Sequence, residues 1–472
     1  MIENVKHATR TVFSGMAAIT FLCASSTVAD EVHPSDVDTL RSLVEQQQEA
    51  LKAQESRIDS LETRLEDAQE KVAPKTKEQI NQEEGEQANQ VLREPDNPYQ
   101  ILADDDFPKS IPLFPSNWRF SFGGYVKTDV IVDFSGTDDP YQFIVSGIPV
   151  DGAANSPQPG SYTQIHAKET RFNFEMRNVS PDLPFNKAFI EMDLFNYDSP
   201  GVRLRHAYFQ YGHLIVGQTW TTLTELRALP FLVDFAYGDS LYGGRAMQVR
   251  WEQPVNDQFS WAVGIEDWND GAIDNSAGSL AGRARARLPL LATRGTYDAG
   301  QALFTVGGSF SELRWDGDAG VSDETAMQWA LVLGARVFLD QDKKHYLGFG
   351  SSYGDGSGGT IISLSEGGVP GAVLTPTGSL ETQHAWNFSA ALHYQLSKRF
   401  SSNLSGAWAE VETSPMLGPD AMKSAAAGHI NLIFDLNQVM RFGAEYMIGQ
   451  RVNANDADGI ANRIQFMAMY SF

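Results

Sequence analysis

From Trp118 to the carboxyl terminus, apolar residues recur at every second position. In Arg119–Ser135 one face reads Phe120, Phe122, Val126, Val130, Val132 and Phe134, and the other Arg119, Ser121, Tyr125, Lys127, Asp129 and Asp133. Successive side chains of a strand point to opposite faces, so this is a strand with one apolar and one charged side. The pattern returns down the chain. Phe259, Trp261, Val263 and Ile265 oppose Gln258, Ser260 and Glu266, and Met327, Trp329, Leu331, Leu333, Val337 and Leu339 oppose Gln328 and Arg336. Ile430, Leu432 and Phe434 oppose His429, Asn431 and Asp435. Sixteen such segments begin near residues 119, 165, 186, 203, 213, 243, 257, 280, 301, 325, 345, 383, 400, 424, 439 and 460.

The connections between them alternate in length. Gly212-His213, Pro254–Asn256, Asp340–Lys344 and Asn437-Gln438 are short, whereas Gly136–Gln164, Gln218–Tyr242 and Asp355–Thr382 are long. No segment offers the ~18 consecutive apolar residues of a membrane helix. A chain that crosses a bilayer repeatedly, with tight turns on one side and long loops on the other, sorts its loops in this way; a soluble sandwich has no reason to. The last segment alternates Ile464, Phe466, Ala468, Tyr470, Phe472 up to a terminal aromatic, as the closing strand of a barrel would. The fold class expected is therefore an all-β transmembrane barrel of about 16 antiparallel strands. An even count leaves both barrel ends on the same, periplasmic side.

Ahead of the barrel the period changes to 3.5. Val37, Leu40, Val44, Gln47, Leu51, Gln54, Ile58, Leu61, Leu65, Ala68 and Val72 advance by three and four without a break, among Glu, Gln, Arg, Ser and Asp. A seam that narrow hides by supercoiling against copies of itself, which predicts an N-terminal α-helical coiled coil, stopped by Pro74. Gln47 and Gln54 leave the strand number open. Still earlier, Lys6 and Arg10 precede the mostly apolar Thr11–Leu22, and Thr27-Val28-Ala29 offers small residues for cleavage. That order reads as an export signal cut after Ala29. The layout expected is a signal peptide (1–29), a periplasmic coiled-coil arm (30–73), an acidic, proline-containing linker (74–117) and the barrel (118–472).

Charge narrows the function. The 472 residues carry a net charge of −24, which repels a nucleic-acid duplex. Between Asp30 and Pro112 there are 21 acidic and 9 basic residues, so much of the excess belongs to the arm and linker. Cys23, the sole cysteine, falls in the signal, so the mature chain has no thiolate, disulfide or cysteine-ligated zinc. Gly350–Gly354 fits G-x-S-x-G and Gly354–Gly359 fits G-x-G-x-x-G, but neither leads from a strand into a helix, as both motifs require. The nine histidines show no metal-ligand spacing. No catalytic residue, metal or cofactor is expected.

What remains is arginine on polar faces. Arg283, Arg285 and Arg287 alternate with Ala284, Ala286 and Leu288, which predicts three guanidinium groups on one side of one strand. Arg171, Arg177, Arg203, Arg205, Arg250 and Arg336 join them if polar faces point inward, although alternation breaks within Arg203–Tyr211. Two readings follow: a cationic strip selecting anions by two-pronged contacts, or wall salt bridges with Asp129, Glu175, Glu191 and Asp193. Acids such as Asp138, Asp139, Asp270, Asp316, Asp318 and Asp323 fall in predicted outer loops, where salt screens them. The loop from Thr219 to Tyr242 is too long for a hairpin. Its Leu226, Leu229, Phe231 and Leu232 are expected against the inner wall, leaving Glu225, Arg227 and Asp234 to narrow the lumen.

Gly217-Gln218-Thr219-Trp220-Thr221-Thr222, after a short apolar strand and before that loop, looks like the segment leading into the constriction loop of DcaP-like porins. Gly123-Gly124-Tyr125-Val126-Lys127 and Arg203–Gly212 resemble that family's first and fourth strands. The resemblance implies a trimeric outer-membrane channel for small dicarboxylates with a constriction at Thr219–Tyr242; the apolar run Leu223–Phe235 departs from it. The expected function is a passive diffusion channel for small anionic solutes in a Gram-negative outer membrane, its partners being outer-membrane lipid, the solute and two further copies of itself. The alternative is a structural tether or adhesin, in which the coiled arm acts and the barrel only anchors.

Overall fold

The structure is a computed structural model that describes residues 107–472, apart from 108–109, 114–116, 154–159, 181, 196–200, 236–240 and 268–272. The signal, the heptad seam and most of the linker lie outside the described residues. Alternating residues build sixteen wall strands. The first five are β1 (Trp118–Asp133), β2 (Tyr162–His166 continued by Arg171–Asn178), β3 (Asn186–Asp193), β4 (Arg203–Tyr211) and β5 (Leu214–Trp220). Next come β6 (Arg245–Pro254), β7 (Phe259–Asp267), β8 (Gly282–Ala284 resumed at Leu290–Asp298), β9 (Ala302–Gly317) and β10 (Glu324–Phe338). The wall ends with β11 (His345–Asp355), β12 (His384–Gln395), β13 (Phe400–Val411), β14 (Met422–Asp435), β15 (Met440–Asn453) and β16 (Asp458–Ser471).

Each strand pairs antiparallel with the next, and β1 closes the ring on β16 from Tyr125↔Ser471 to Asp133↔Arg463. All sixteen predicted starts coincide with a wall strand. Loop lengths alternate as expected except at two long-loop-end connections, residues 318–323 and 454–457, which are short.

The faces are inverted relative to a soluble protein. Phe122, Val126, Val249, Trp251, Leu331, Leu333, Ile430, Leu432 and Phe466 are exposed, whereas Lys127, Asp129, Gln248, Arg250, Gln328, His429, Asn431 and Gln465 are buried. Such a continuous apolar exterior needs lipid against it. Aromatic rings mark its rims: Trp329, Tyr353, Trp386 and Trp408 form a chain toward the long-loop end, and Phe400, Phe434 and Phe442 stack toward the short-turn end.

An apolar core lies inside the ring, made by loops folded inward. Phe143, Val145 and Ile148 of the first loop, Leu223 and Tyr242 of the loop after β5, and Ile361 and Leu364 of the loop after β11 share one buried cluster with the wall. The last of these carries a short helix, α1 (Ile362–Glu366). The motif Gly350–Gly354 is wall strand, with buried Ser352 donating to Asn387, so its serine has no role as a nucleophile on a turn.

β4 and β8 are among the strands that depart from simple alternation. β4 carries a bulge where Glu191 faces His206 and Met192 faces Leu204, which brings Arg205 and His206 both to the buried side. β8 leaves the ladder after Ala284 and rejoins it at Leu290. The continuous strand expected from residue 280 is therefore interrupted at Arg285–Arg287.

Candidate functional site: a clamped loop in a charged lumen

The loop after β5, residues 221–244, enters the barrel through a threonine turn. Thr224 N–H donates to the Thr221 carbonyl at 3.2 Å, and the two hydroxyls lie 2.6 Å apart. The wall holds the turn on both sides: Thr222 N–H donates to Glu266 at 2.5 Å, and Arg294 donates to the Thr222 carbonyl at 2.6 Å. Glu225 then caps the 3₁₀ turn Leu226–Ala228, accepting from Arg227 N–H at 3.0 Å and from its guanidinium at 2.8 and 2.6 Å. Burial alone would raise the Glu225 carboxyl, but the charges of Arg227 and Arg294 hold it below its ordinary range.

A trough of glycines receives the loop. A β-carbon at Gly307, Gly334, Gly348 or Gly443 would meet Leu223, Glu225, Ala228 or Val233 respectively. Without side chains at these inward positions the wall admits the loop backbone at close range. Beyond the turn the loop crosses to the far wall. Tyr346 donates to the Leu229 carbonyl at 3.3 Å and Asn431 to the Phe231 carbonyl at 2.9 Å. Glu445 accepts from Val233 N–H at 2.8 Å and Asp234 N–H at 3.3 Å, while Lys127 donates to the Val233 carbonyl at 2.6 Å. Glu445 also accepts from Asn431 at 2.8 Å and faces His429 Nδ1 at 3.1 Å. Asp234 is spent on Phe143 N–H, at 3.2 Å from each oxygen, which ties this loop to the first one. Leu232 and Val233 are buried and Leu226, Leu229 and Phe231 half-buried, as their apolar run requires.

Most wall cations are paired. Arg203 grips Asp193 at 3.0 and 2.7 Å, and Arg205 reaches Glu191 at 2.7 Å and Asp193 at 3.3 Å. Arg171 lies 3.8 Å from Glu169 and 3.9 Å from Glu191, and Lys127 pairs with Glu169 and with Asp129 at 3.1 Å. Within this group four cations meet four carboxylates. Arg177 pairs with Glu175. Arg250 and Arg294 share Glu252 at 3.0 and 3.4 Å. The guanidiniums of Arg171, Arg203 and Arg205 all lie over the Phe235 ring, at 5.6, 5.1 and 5.4 Å. Of the predicted acids, Glu175, Glu191, Asp193 and Asp129 are all engaged in ion pairs. His429 pairs with Glu445, and Asp435 pairs with Arg441 at 2.6 Å.

Two of the guanidiniums that have no carboxylate partner among the described residues flank the clamped loop. Arg336 points inward beneath the 3₁₀ turn, 4.2 Å over the Tyr346 ring, with Nε and Nη2 unpartnered. Arg245, where the loop rejoins the wall, lies 5.0 Å over Trp220 with Nη1 unpartnered, within reach of the charges of Arg171, Arg203 and Arg205. The sequence reading missed Arg245, whose only signal is its place directly after Gly243-Gly244 at the end of a long loop. It also missed the glycine trough, visible as glycines at inward positions in the middle of four strands.

Arg283, Arg285 and Arg287 do not line the lumen. Arg283 stands across from Asp316, Arg285 N–H donates to the Arg314 carbonyl at 2.9 Å, and Arg287 grips Glu312 at 3.0 and 2.8 Å. Leu313 and Trp315 between those partners are buried inward, so Glu312, Arg314 and Asp316 face outward, on the side of exposed Phe304, Val306 and Phe310. The three arginines go with them. The expected lumen strip is corrected to an outward ladder at the long-loop rim, because the strand breaks there and its neighbour's register, not polarity, sets the facing.

Near the long-loop mouth, Glu366 at the end of α1 keeps an exposed side chain, but the protein crowded around its carboxyl strips hydration from it and, with the charges of Asp139 and Asp234, pushes it up to about 7.

A closed sixteen-stranded ring, apolar outside and charged inside, with a loop clamped across its lumen, is a porin-type outer-membrane barrel. The sequence profile of the DcaP outer membrane protein family matches residues 52–356, and the chain belongs to that family: it is an outer-membrane porin, not an enzyme. Among solved structures it is similar to the outer membrane channel DcaP of Acinetobacter baumannii, with 18% identity and a TM-score of 0.66 over 77% of this chain and 99% of that one. It shares the fold more loosely with an anion-selective porin from Comamonas acidovorans (11% identity, TM-score 0.49, 75% of this chain and 100% of that one). OmpT of Vibrio cholerae is similar at 12% identity and a TM-score of 0.47, over 76% of this chain and 99% of that one. No individually curated protein sequence matches the chain.

Proposed function

We propose that this porin is a passive channel selective for small anionic solutes such as dicarboxylates, and that solute passes beside the clamped loop. The observation that carries this reading is the pair of unpartnered guanidiniums bracketing that loop, Arg245 where it rejoins the wall and Arg336 beneath its 3₁₀ turn. In a lumen whose other cations are largely neutralised, these two set the sign of the local field, and a guanidinium recognises carboxylate in a two-pronged geometry. Arg171, Arg203 and Arg205 lie near Arg245 but are matched by their own acids, so Arg245 carries the unpaired charge of that group.

The test is reversal potential in a salt gradient, with block of current by a small dicarboxylate, for the parent and for Arg336→Ala and Arg245→Ala. Both substitutions should shift reversal toward cations and weaken block; a double variant matching the parent in both measurements would sink the reading.

The chain is further proposed to work as a homotrimer, with the heptad seam Val37–Val72 as a periplasmic coiled coil joining the three arms. The unbroken stripe supports this, and native mass spectrometry of the mature protein tests it: monomers or dimers would refute it. A second reading, a tether whose barrel only anchors, draws on the apolar cluster that three inward-folded loops build inside the ring. Planar-bilayer recordings separate the two, since a tether gives no defined conductance.

A further inference from the structure

We infer that the outward ladder Arg283, Arg285, Arg287 and Arg314 is a binding site for phosphate groups on lipids of the outer leaflet. The ladder stands on the outside of the barrel at the long-loop rim, directly beyond its lipid-facing band. Leu291, Phe310, Met327 and Leu331 of β8–β10 are exposed on that same outer surface. Glu312, the partner of Arg287, lies two residues beyond Phe310, and Asp316, across from Arg283, lies six beyond it. At about 3.4 Å per residue the ladder spans from about 7 to about 20 Å along the strand past the band's last ring. The lowest rung, Glu312 with Arg287, is level with Met327 at the top of the band, and the rungs above it stand at headgroup depth.

The charges are arranged to leave an anion unmet. Arg287 is neutralised by Glu312, and Arg314 donates to Asp316 and to Asp323 at 2.5 Å. Arg283 and Arg285 have no ion-pair partner among the described residues and are exposed. Four guanidiniums therefore face three carboxylates, a net surplus of one positive charge, and the two that make no ion pair, Arg283 and Arg285, lie together where β8 breaks. The acids fix Arg287 and Arg314 while Arg283 and Arg285 stay free, and a phosphate monoester takes guanidinium donors in the same two-pronged manner as a carboxylate. A glycolipid whose acyl chains wet the band beneath would carry its phosphates to this level, so the occupant that covers Phe310 and Met327 also reaches the arginines. The break in β8 serves this purpose. Beyond the Arg285 N–H bond to the Arg314 carbonyl, residues 286–289 leave the ladder of hydrogen bonds, which frees the side chain of Arg287 from strict strand geometry.

The test is native mass spectrometry of the full-length protein in detergent, titrated with bis-phosphorylated lipid A. The parent should retain the lipid, and the triple variant Arg283→Gln, Arg285→Gln, Arg287→Gln should bind it about tenfold or more weakly. The corresponding triple lysine variant should stay close to the parent. Dephosphorylated lipid A should bind parent and glutamine variant alike, and excess inorganic phosphate should leave the lipid in place. Where the triple variant does not assemble, Arg285→Gln alone is read in the same titration, with a several-fold loss expected. Equal lipid binding by parent and glutamine variants overturns the proposal. So does displacement by inorganic phosphate, which marks a free-anion site, and so does loss of oligomers with lipid binding intact, which marks a contact between copies.

Discussion

Glu445 carries the far anchorage of the constricting loop, and its removal should release that loop while leaving the wall standing. Its carboxylate accepts the N–H groups of Val233 and Asp234, at 2.8 and 3.3 Å, in a fully buried setting. Glu445→Ala leaves both donors without a partner. A buried, unsatisfied donor costs about 1–3 kcal/mol, so the clamped position loses about 2–6 kcal/mol relative to a released one. Each 1.4 kcal/mol is about tenfold in population, so the released form gains by a factor between about 30 and 10⁴. Glutamine keeps one acceptor oxygen and should lose about half as much free energy. The remaining tethers at the tip, Lys127 to Val233 at 2.6 Å and Asn431 to Phe231 at 2.9 Å, do not replace the missing acceptor. Single-channel recording reads the outcome: Glu445→Ala should show higher mean conductance and more open-channel noise, and Glu445→Gln an intermediate level. The wall check is unchanged strand content by circular dichroism. If the alanine variant keeps the parent's conductance and noise, the carboxylate does not hold the loop and the reasoning fails.

Glu366 predicts a pH response. Its carboxyl is held up to about 7 against an ordinary 4.5, so the folded chain binds that proton more tightly than the unfolded one. Its contribution to stability is therefore greatest in acid and declines as pH rises from about 4.5 to about 7. Over the same rise the mouth gains a negative charge, so anion preference should fall between about pH 6 and pH 8, measured as reversal potential. Glu366→Gln should flatten that profile, and an unchanged profile would remove Glu366 from the account. Gly348→Val should push Ala228 off the wall and raise conductance while strand content stays constant; a variant with the parent's conductance would show the trough to be slack. Deleting residues 35–73 should lower the temperature at which oligomers dissociate on gels without loss of barrel, and unchanged dissociation would mean that the arm binds something other than its own copies.

The wall was legible because lipid makes the two faces of each strand chemically opposite, and all sixteen starts could be placed from that contrast alone. The inward course of the loop after β5 was legible for a related reason: Leu226, Leu229, Phe231 and Leu232 had nowhere apolar to go except the inner wall. The ladder at Arg283–Arg287 misled because polarity reports facing only at the height of the lipid band. Above it both surfaces of the wall are wet or headgroup-lined, and an arginine at alternate positions says nothing about inside or outside. Arg171, Arg203 and Arg205 could be placed inward, but their neutralisation depends on Glu191 and Asp193 of the adjacent strand arriving at the same height. Register decides that, and the bulge at Arg205 shifts it. The carboxylate that holds the loop tip, Glu445, follows Val233 by more than two hundred positions, and no local pattern connects them.

The loop tip bears on how the molecule is made. Val233 is bonded at once to Lys127 of the first strand, Glu445 of the fifteenth and, at 3.4 Å, to Gln465 of the sixteenth. These strands meet only when the sheet's two free edges join. A half-built sheet can seat the threonine turn on its own neighbours but has no berth for the tip, so the filter is finished after the wall. The same contacts lie across the joint between the first and last strands, where the segment from mid-chain acts as an inner clasp. A nascent barrel thus acquires its sieve and the lock on its seam in one event, and an incompletely zipped one carries neither.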